Sequence, residues 1–320
     1  MAHLVQQMAY VGETPWHGLG NALPARQSIE VWAQQAGLDF QILETPVRYM
    51  AESVGMLGSI MTFADQKVLY RSDSKAPLSV VSNRFQVVQP REVLEFYRDL
   101  TEVSGFELET AGVLKEGRKV WALARTGQSS TLKDKDVVNG YLLLATACDG
   151  TLATTAQFTS IRVVCNNTLA VALKNGQQHA IKVPHSTNFD AQVVKQQLGV
   201  SVSSWDSFMY RMKTLSERRV KSHEAMNYFL RVFTDPEANP ASLTNERAIK
   251  RVQALYDGEG RGAELGSAKG TAWGLLNSVT EFVDHQRRAR SQDYRLDSAW
   301  FGQGTAIKKK ALDEALRLVA

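Results

Sequence analysis

The apolar residues of this 320-residue chain change period along its length. Up to Pro184 most apolar stretches are short and bounded by turn residues, as strands are. Beyond Pro184 they recur at three- and four-residue steps, as on a helix face. Strands gathered first and helices gathered later specify an α+β fold: antiparallel β-hairpins with a packed helix, followed by a mainly helical C-terminal part. A doubly wound parallel sheet would alternate the two. No internal repeat of the kind that builds solenoids is present.

This pattern divides the chain into three parts. Residues 1–27 hold Gly12, Pro15, Gly18, Gly20 and Pro24 close together and read as an irregular arm. Residues 28–187 read as the α+β core. Ser28 caps a helix from Ile29 to Ala36, and Phe40 to Leu43 is a strand. Met56 to Phe63 and Lys67 to Arg71 read as two strands of a hairpin turning at Ala64-Asp65-Gln66. Leu78 to Ser82 is a short strand, and Pro90 opens a helix that Gly105 closes. Two further hairpins follow, Phe106–Leu114 with Val120–Arg125, and Val138–Ala147 with Leu152–Phe158. The second turns at Asp149-Gly150, a pair that tolerates positive φ. Ile161 to Leu173 reads as a helix and Gln178 to Pro184 as a strand. Residues 188–320 read as helical, with helices in 188–233, 244–256, 271–290 and 305–318. The glycine-rich stretch 257–270 is expected to be a flexible loop.

Composition excludes several classes. Two cysteines, Cys148 and Cys165, build no disulfide framework and suit a reducing compartment. No run approaches the roughly 18 apolar residues that span a bilayer. The first residues lack a basic segment followed by an apolar one, so no signal peptide is expected. A soluble, cytoplasmic protein is the expectation, with no membrane partner.

Catalytic and metal patterns are not evident. Gly258, Gly260 and Gly262 alternate without the Gly-Lys-Ser/Thr of a phosphate loop. His179 and His185 lie six residues apart with no cysteine pair beside them, which reads as structural or surface histidine before zinc ligand. Cys148-Asp149 reads as a hairpin corner, and Glu13 with His17 as part of an arm whose Trp16 docks on the core. Asp134 and Asp136 alternate with Lys133 and Lys135 and read as a solvated loop. No enzyme activity, cofactor or metal is expected.

Charge is more informative. The net +4 arises from 14 Lys/Arg against 17 Asp/Glu over residues 1–159, and 23 against 16 over residues 160–320. A basic second half suits an anionic partner, although an ordinary solvated surface has the same signature. Single-stranded nucleic acid asks for Lys and Arg along its backbone and aromatic faces for its bases. Candidate contacts are Arg84 beside Phe85, Arg118 and Lys119 at a hairpin tip, Arg162, Lys174, Lys182, and Arg211, Lys213, Arg218 and Arg219. From Lys195 to Arg231 there are seven basic residues against three acidic, interleaved with Trp205, Phe208 and Tyr210. An amphipathic helix with a charged outer face and an aromatic core face fits that stretch equally well. The run Lys308-Lys309-Lys310 reads as a solvated helix start.

Four stretches carry a resemblance. They are Thr14-Pro15-Trp16-His17-Gly18-Leu19-Gly20, Ser82-Asn83-Arg84-Phe85-Gln86-Val87-Val88, the run from Ile161 to Leu169, and the run from Gly270 to Thr280. With them the chain resembles, almost end to end, a family of phage- and plasmid-encoded proteins that carries a domain of unknown function. A helix among antiparallel hairpins with a helical tail is also similar to single-strand annealing recombinases of the RecT and Redβ kind. That resemblance implies a DNA-recombination protein that holds single-stranded DNA in a basic groove. It further implies a homo-oligomer, ring or filament, acting without nucleotide hydrolysis. The alternative is a protein-interaction module that inhibits or modulates a host factor.

Overall fold

The computed structural model describes residues 8–12, 20–53, 56–133, 135–162, 164, 167–170, 180–199, 205–234 and 245–320. Antiparallel sheets are followed by a helical C-terminal region, the α+β order expected from the hydrophobic periods. The strands are β1 (Met8–Val11), β2 (Asn21–Leu23), β3 (Ile42–Ser53), β4 (Met56–Arg71), β5 (Pro77–Ser82) and β6 (Glu107–Leu114). They continue with β7 (Lys119–Thr131), β8 (Val137–Ala147), β9 (Thr154–Arg162), β10 (Asn167–Ala170) and β11 (Ala180–Val183). The helices are α1 (Ile29–Gln35), α2 (Pro90–Ser104), α3 (Ala191–Gly199), α4 (Trp205–Glu217), α5 (Ser222–Phe233), α6 (Glu246–Ala254), α7 (Ala272–Glu281), α8 (Gln292–Phe301) and α9 (Gln303–Arg317). One sheet has the order β10-β9-β8-β7-β6-β1-β2, with β11 on β9; a second has the order β3-β4-β5.

Contacts divide the chain into two compact units. The first comprises Met1–Ala124, Leu143–Ala156 and Ala180–Leu198, the second Arg125–Leu142, Gln157–His179 and Gly199–Ala320. The division does not follow the chain in order, because β7, β8 and β9 each give residues to both.

The first unit is built on local signals that its sequence states clearly. Ser28 Oγ accepts from Val31 N and caps α1. Glu92 Oε2 accepts from Gln89 N at 2.6 Å, Pro90 opens α2, and Gly105 ends it at φ 67°. Gly150 turns β8 into β9 at φ 74°. Trp32, Leu38, Leu69, Leu94, Phe96, Tyr97 and Trp121 are buried in this unit's core. The Tyr97 hydroxyl keeps its hydrogen bond there, donating to the Ala122 carbonyl at 2.8 Å.

Several sequence expectations are corrected here. Within residues 1–27, Met8–Val11 is a sheet strand, antiparallel to β6 and parallel to β2, with Met8, Ala9 and Tyr10 buried. The proposed hairpin at Ala64-Asp65-Gln66 does not turn. Residues 56–71 are one strand, and Lys67 pairs with Pro46 while Phe63 pairs with Val47, so the three residues form a bulge. Asn83 holds that bulge, its side chain donating to the Ala64 carbonyl and its N–H to the Asp65 carbonyl. Ile161 does not open a helix: β9 runs through Arg162 and β10 pairs back onto it from Asn167 to Ala170. Ile161 is β-branched and suits the strand it occupies.

The second unit centres on α7, all ten residues of which are buried. The polar side chains of α7 are satisfied in place: Asn277 donates to the Trp273 carbonyl, Ser278 to that of Leu275 and Thr280 to that of Asn277. The helix packs against α4, α6, α9 and β10. Gly274 allows this, because a Cβ there would run into the Ala268 carbonyl. Stretch 257–270, expected to be a flexible loop, is instead packed. It opens in a π-type turn over Leu255–Glu259 and buries Ser267 and Ala268. Helix α8 had no expectation attached to it.

Candidate nucleic-acid interface

The two most elaborate polar clusters of the second unit are buried. Asp136 is fully enclosed, and its carboxylate accepts from Arg162 Nε at 2.6 Å and Nη2 at 2.9 Å, Ser267 Oγ at 2.6 Å and Trp273 Nε1 at 2.9 Å. Arg162 also donates to the carbonyls of Arg261 and Gly262. In the second cluster, Lys308 Nζ donates to Asp284 Oδ1 and to Thr168 Oγ1, both at 2.7 Å. Asp284 Oδ2 accepts from Thr168 N at 2.8 Å and Thr168 Oγ1 at 3.1 Å. Each charge is paired and hydrogen-bonded, which is the condition for burying it at all. These clusters hold loops and helices in place.

The sequence candidates divide accordingly. In the first unit Arg84, Arg118 and Lys182 are exposed, but Lys119 is 2% exposed within β7. In the second, Arg162 is 2% exposed and tied to Asp136, so it presents nothing to solvent. Lys213 and Arg219 are exposed and Arg211 is half-buried. The cations of Arg218 and Arg219 have structural partners. Arg218 pairs with Glu224 at 2.7 Å and donates to the Leu318 carbonyl at 2.9 Å, while Arg219 donates to the Lys269 carbonyl at 2.7 Å. Lys174 lies outside the described residues, as do Glu13, Trp16, His17, Asp134, Cys165 and His179. In α4, Trp205 and Phe208 are core residues and Tyr210 is 73% exposed, so the core-face reading holds for the first two. The solvated readings of Asp136 and Lys308 are corrected: both are buried, at 0% and 5% exposure. Alternation with lysines concealed Asp136, and a run of three lysines concealed that one of them faces inward.

Cys148 and His185 are both engaged in the packing of the first unit. Burial, with a further contribution from Asp149, pushes the Cys148 thiol up to about 12. That keeps it protonated, and its Sγ donates to the Arg118 carbonyl. His185 bridges the Gln86 and Leu152 carbonyls and stacks on Phe85 at 4.2 Å, a structural role. Among the described residues no group of three or more His, Cys, Asp or Glu is placed to hold a metal ion.

One cleft has a different character. It encloses about 760 Å³ in the second unit, between the end of α5, the start of α6, the residues following α7, and α9. Its described lining includes Arg247, Arg287, Arg288 and Lys310, and no carboxylate. The floor is apolar, from Val232, Phe233, Phe282 and Ile307, with the Phe233 and Phe282 rings edge to face at 5.8 Å. Lys310 leans on the Thr234 carbonyl at 2.9 Å and Arg287 on Ser298 Oγ at 3.1 Å. Arg247 and Arg288 are exposed, and no described residue pairs with either. Of these four, Lys310 belongs to the run read from sequence as a solvated helix start, and Arg247, Arg287 and Arg288 carry no sequence expectation. For Arg287 and Arg288 the available signal is their cluster with Arg290.

Fold and site together define an α+β protein whose most conspicuous motif residues are structural and whose cleft gathers cations over an apolar floor. Residues 77–300 match the family described as Domain of unknown function (DUF932), and the chain belongs to that family. No curated protein matches the chain, and no solved structure does. No helix among the described residues is long and apolar enough to cross a membrane.

Proposed function

We propose that the chain binds single-stranded DNA through the cleft between α5, α6 and α9, and that it acts by annealing strands without nucleotide hydrolysis, as a homo-oligomer. The observation that carries this reading is the lining: four cations, no described carboxylate, and a half-buried Phe282 at the floor. Cations meet phosphates, and an aromatic face accepts any base. The volume is that of a small-ligand cleft, so it grips a short stretch of strand. Exposed Lys213 and Tyr210 are further contacts available on the same unit.

The test is the affinity of the full chain for a labelled oligothymidylate across a salt series. Binding should weaken steeply with salt, with a log–log slope of about −0.7 per phosphate contacted. Arg247→Glu with Arg288→Glu should lower affinity and make the slope shallower. No binding even at low salt overturns the reading and leaves the interaction-module alternative. Binding indifferent to the double change moves it away from this cleft.

A further inference from the structure

The first unit carries a feature that the described residues leave uncovered. Between Val47 and Phe63 the ribbon of β3 and β4 exposes Tyr49 by 51%, Met50 by 67%, Ile60 by 69%, Met61 by 46% and Phe63 by 45%. Tyr49 pairs with Met61 and Met50 with Ile60, so these side chains occupy both faces of the ribbon. A two-stranded ribbon with neither face packed is marginal by itself.

Strand β3 is also the edge of its sheet. At Ile42 that edge is closed by the Gln89 side chain, which accepts from Ile42 N at 2.9 Å and donates to Ile42 O at 3.0 Å. From Thr45 to Ala51 no described residue does the same. Edges are ordinarily protected by lysines, bulges or prolines. The outer half of β3, Val47-Arg48-Tyr49-Met50-Ala51-Glu52, has no lysine or proline, and its ladder with β4 is regular from Val47 to Ala51, between register shifts at Pro46/Val47 and Ala51/Ser53.

We propose that this edge pairs antiparallel with the same edge of a second copy, about a two-fold axis at Met50. The occupant is specified by charge. An axis at Met50 sets Arg48 opposite the other copy's Glu52, and symmetry makes the pair twice. The same register sets Tyr49 opposite Ala51, large against small, and Met50 against itself. Directly opposed residues of antiparallel strands share a face, so Ile60, Met50, Met50 and Ile60 form one apolar row across the joined sheet. Axes at Tyr49 or Ala51 leave both charges unmatched. An axis at Pro46 would match Arg48 with Glu44. However, Pro46 has no N–H to give, and Glu44 already holds Lys67 at 2.8 Å. The inference rests on the ribbon alone and goes beyond the nucleic-acid reading.

The experiment is sedimentation of the full chain without nucleic acid, over a concentration series. The wild type should dimerise. Glu52→Arg and Arg48→Glu should each raise the dimer dissociation constant about tenfold or more, because two attractive pairs become repulsive at once. An equimolar mixture of the two variants should recover the dimer, since each then supplies the charge the other needs. The double variant Arg48→Glu with Glu52→Arg should also recover it. If the single variants prove unfolded by circular dichroism, a short bismaleimide decides instead. It should link Met50→Cys copies and not Glu44→Cys copies, which this register holds about 40 Å apart. A wild type that stays monomeric, charge variants that dimerise unchanged, or crosslinking equal at both positions would overturn the proposal.

Discussion

Arg162 and Asp136 meet inside the second unit as a two-point ion pair, Nε to Oδ1 at 2.6 Å and Nη2 to Oδ2 at 2.9 Å, with both side chains essentially without solvent exposure. The pair joins the end of β9 to the turn before β8. Through Ser267 and Trp273 it reaches the glycine-rich stretch and α7.

Removing one partner should therefore cost far more than an exposed ion pair. Asp136→Ala is expected to destabilise the protein by about 3–5 kcal/mol, because a buried guanidinium is left unpaired. The pair Asp136→Leu with Arg162→Met should cost less than the two single changes added together. Urea unfolding of Asp136→Ala, of the two single changes and of the double variant measures this; additive costs would contradict the coupling.

The three successive lysines of α9 should separate sharply. Lys308→Met strands Asp284 in the interior and is expected to cost about 3–5 kcal/mol. Lys309 is exposed, and Lys309→Met should stay within about 0.5 kcal/mol of wild type. Equal midpoints for the two variants in a denaturant titration would show the buried contact to be unimportant.

Arg218 and Arg288 should also separate, in two different assays. Arg218→Glu breaks the pair with Glu224 and the bond to the Leu318 carbonyl, and should lower the thermal midpoint. Arg288→Glu has no described partner to lose and should leave stability near wild type while reducing affinity for the oligothymidylate.

Glu281 predicts a pH dependence. Burial raises its pKa above the usual 4.5, opposed by the hydrogen bond from Arg261 N. A carboxyl whose folded pKa is raised contributes stability that is fully present below the unfolded value and is lost as pH rises through the folded value. Glu281→Gln removes that loss. Its stability relative to wild type should improve from acid pH toward neutrality. A constant difference across the series would contradict it.

Gly274→Ala should be among the most damaging small substitutions, because the added methyl meets the Ala268 backbone, which has nowhere to go. Expected losses are those of core overpacking, about 1–3 kcal/mol or more. Unchanged urea unfolding would mean that α7 can shift away from the loop.

What the sequence determined by itself is what local chemistry decides. Ser28, Pro90, Gly105 and Asp149-Gly150 act through backbone conformations and hydrogen bonds a few residues away, so the helices and turns they mark were legible. So was the order of strands before helices, since the period of apolar residues reports which face of each element is covered. The tertiary structure decided everything that depends on residues distant in the chain. Ala64-Asp65-Gln66 has the composition of a turn but is a bulge, because Asn83 satisfies its carbonyls. Asp136 and Lys308 look solvated beside their charged neighbours, but Arg162, Ser267 and Trp273 enclose the first and Asp284 and Thr168 the second. Arg247, Arg288 and Lys310 belong to one cleft because α5, α6 and α9 pack that way. Charge, unlike periodicity, has no local signature of where it points: only packing determines whether a cation is buried against a carboxylate or left facing a partner.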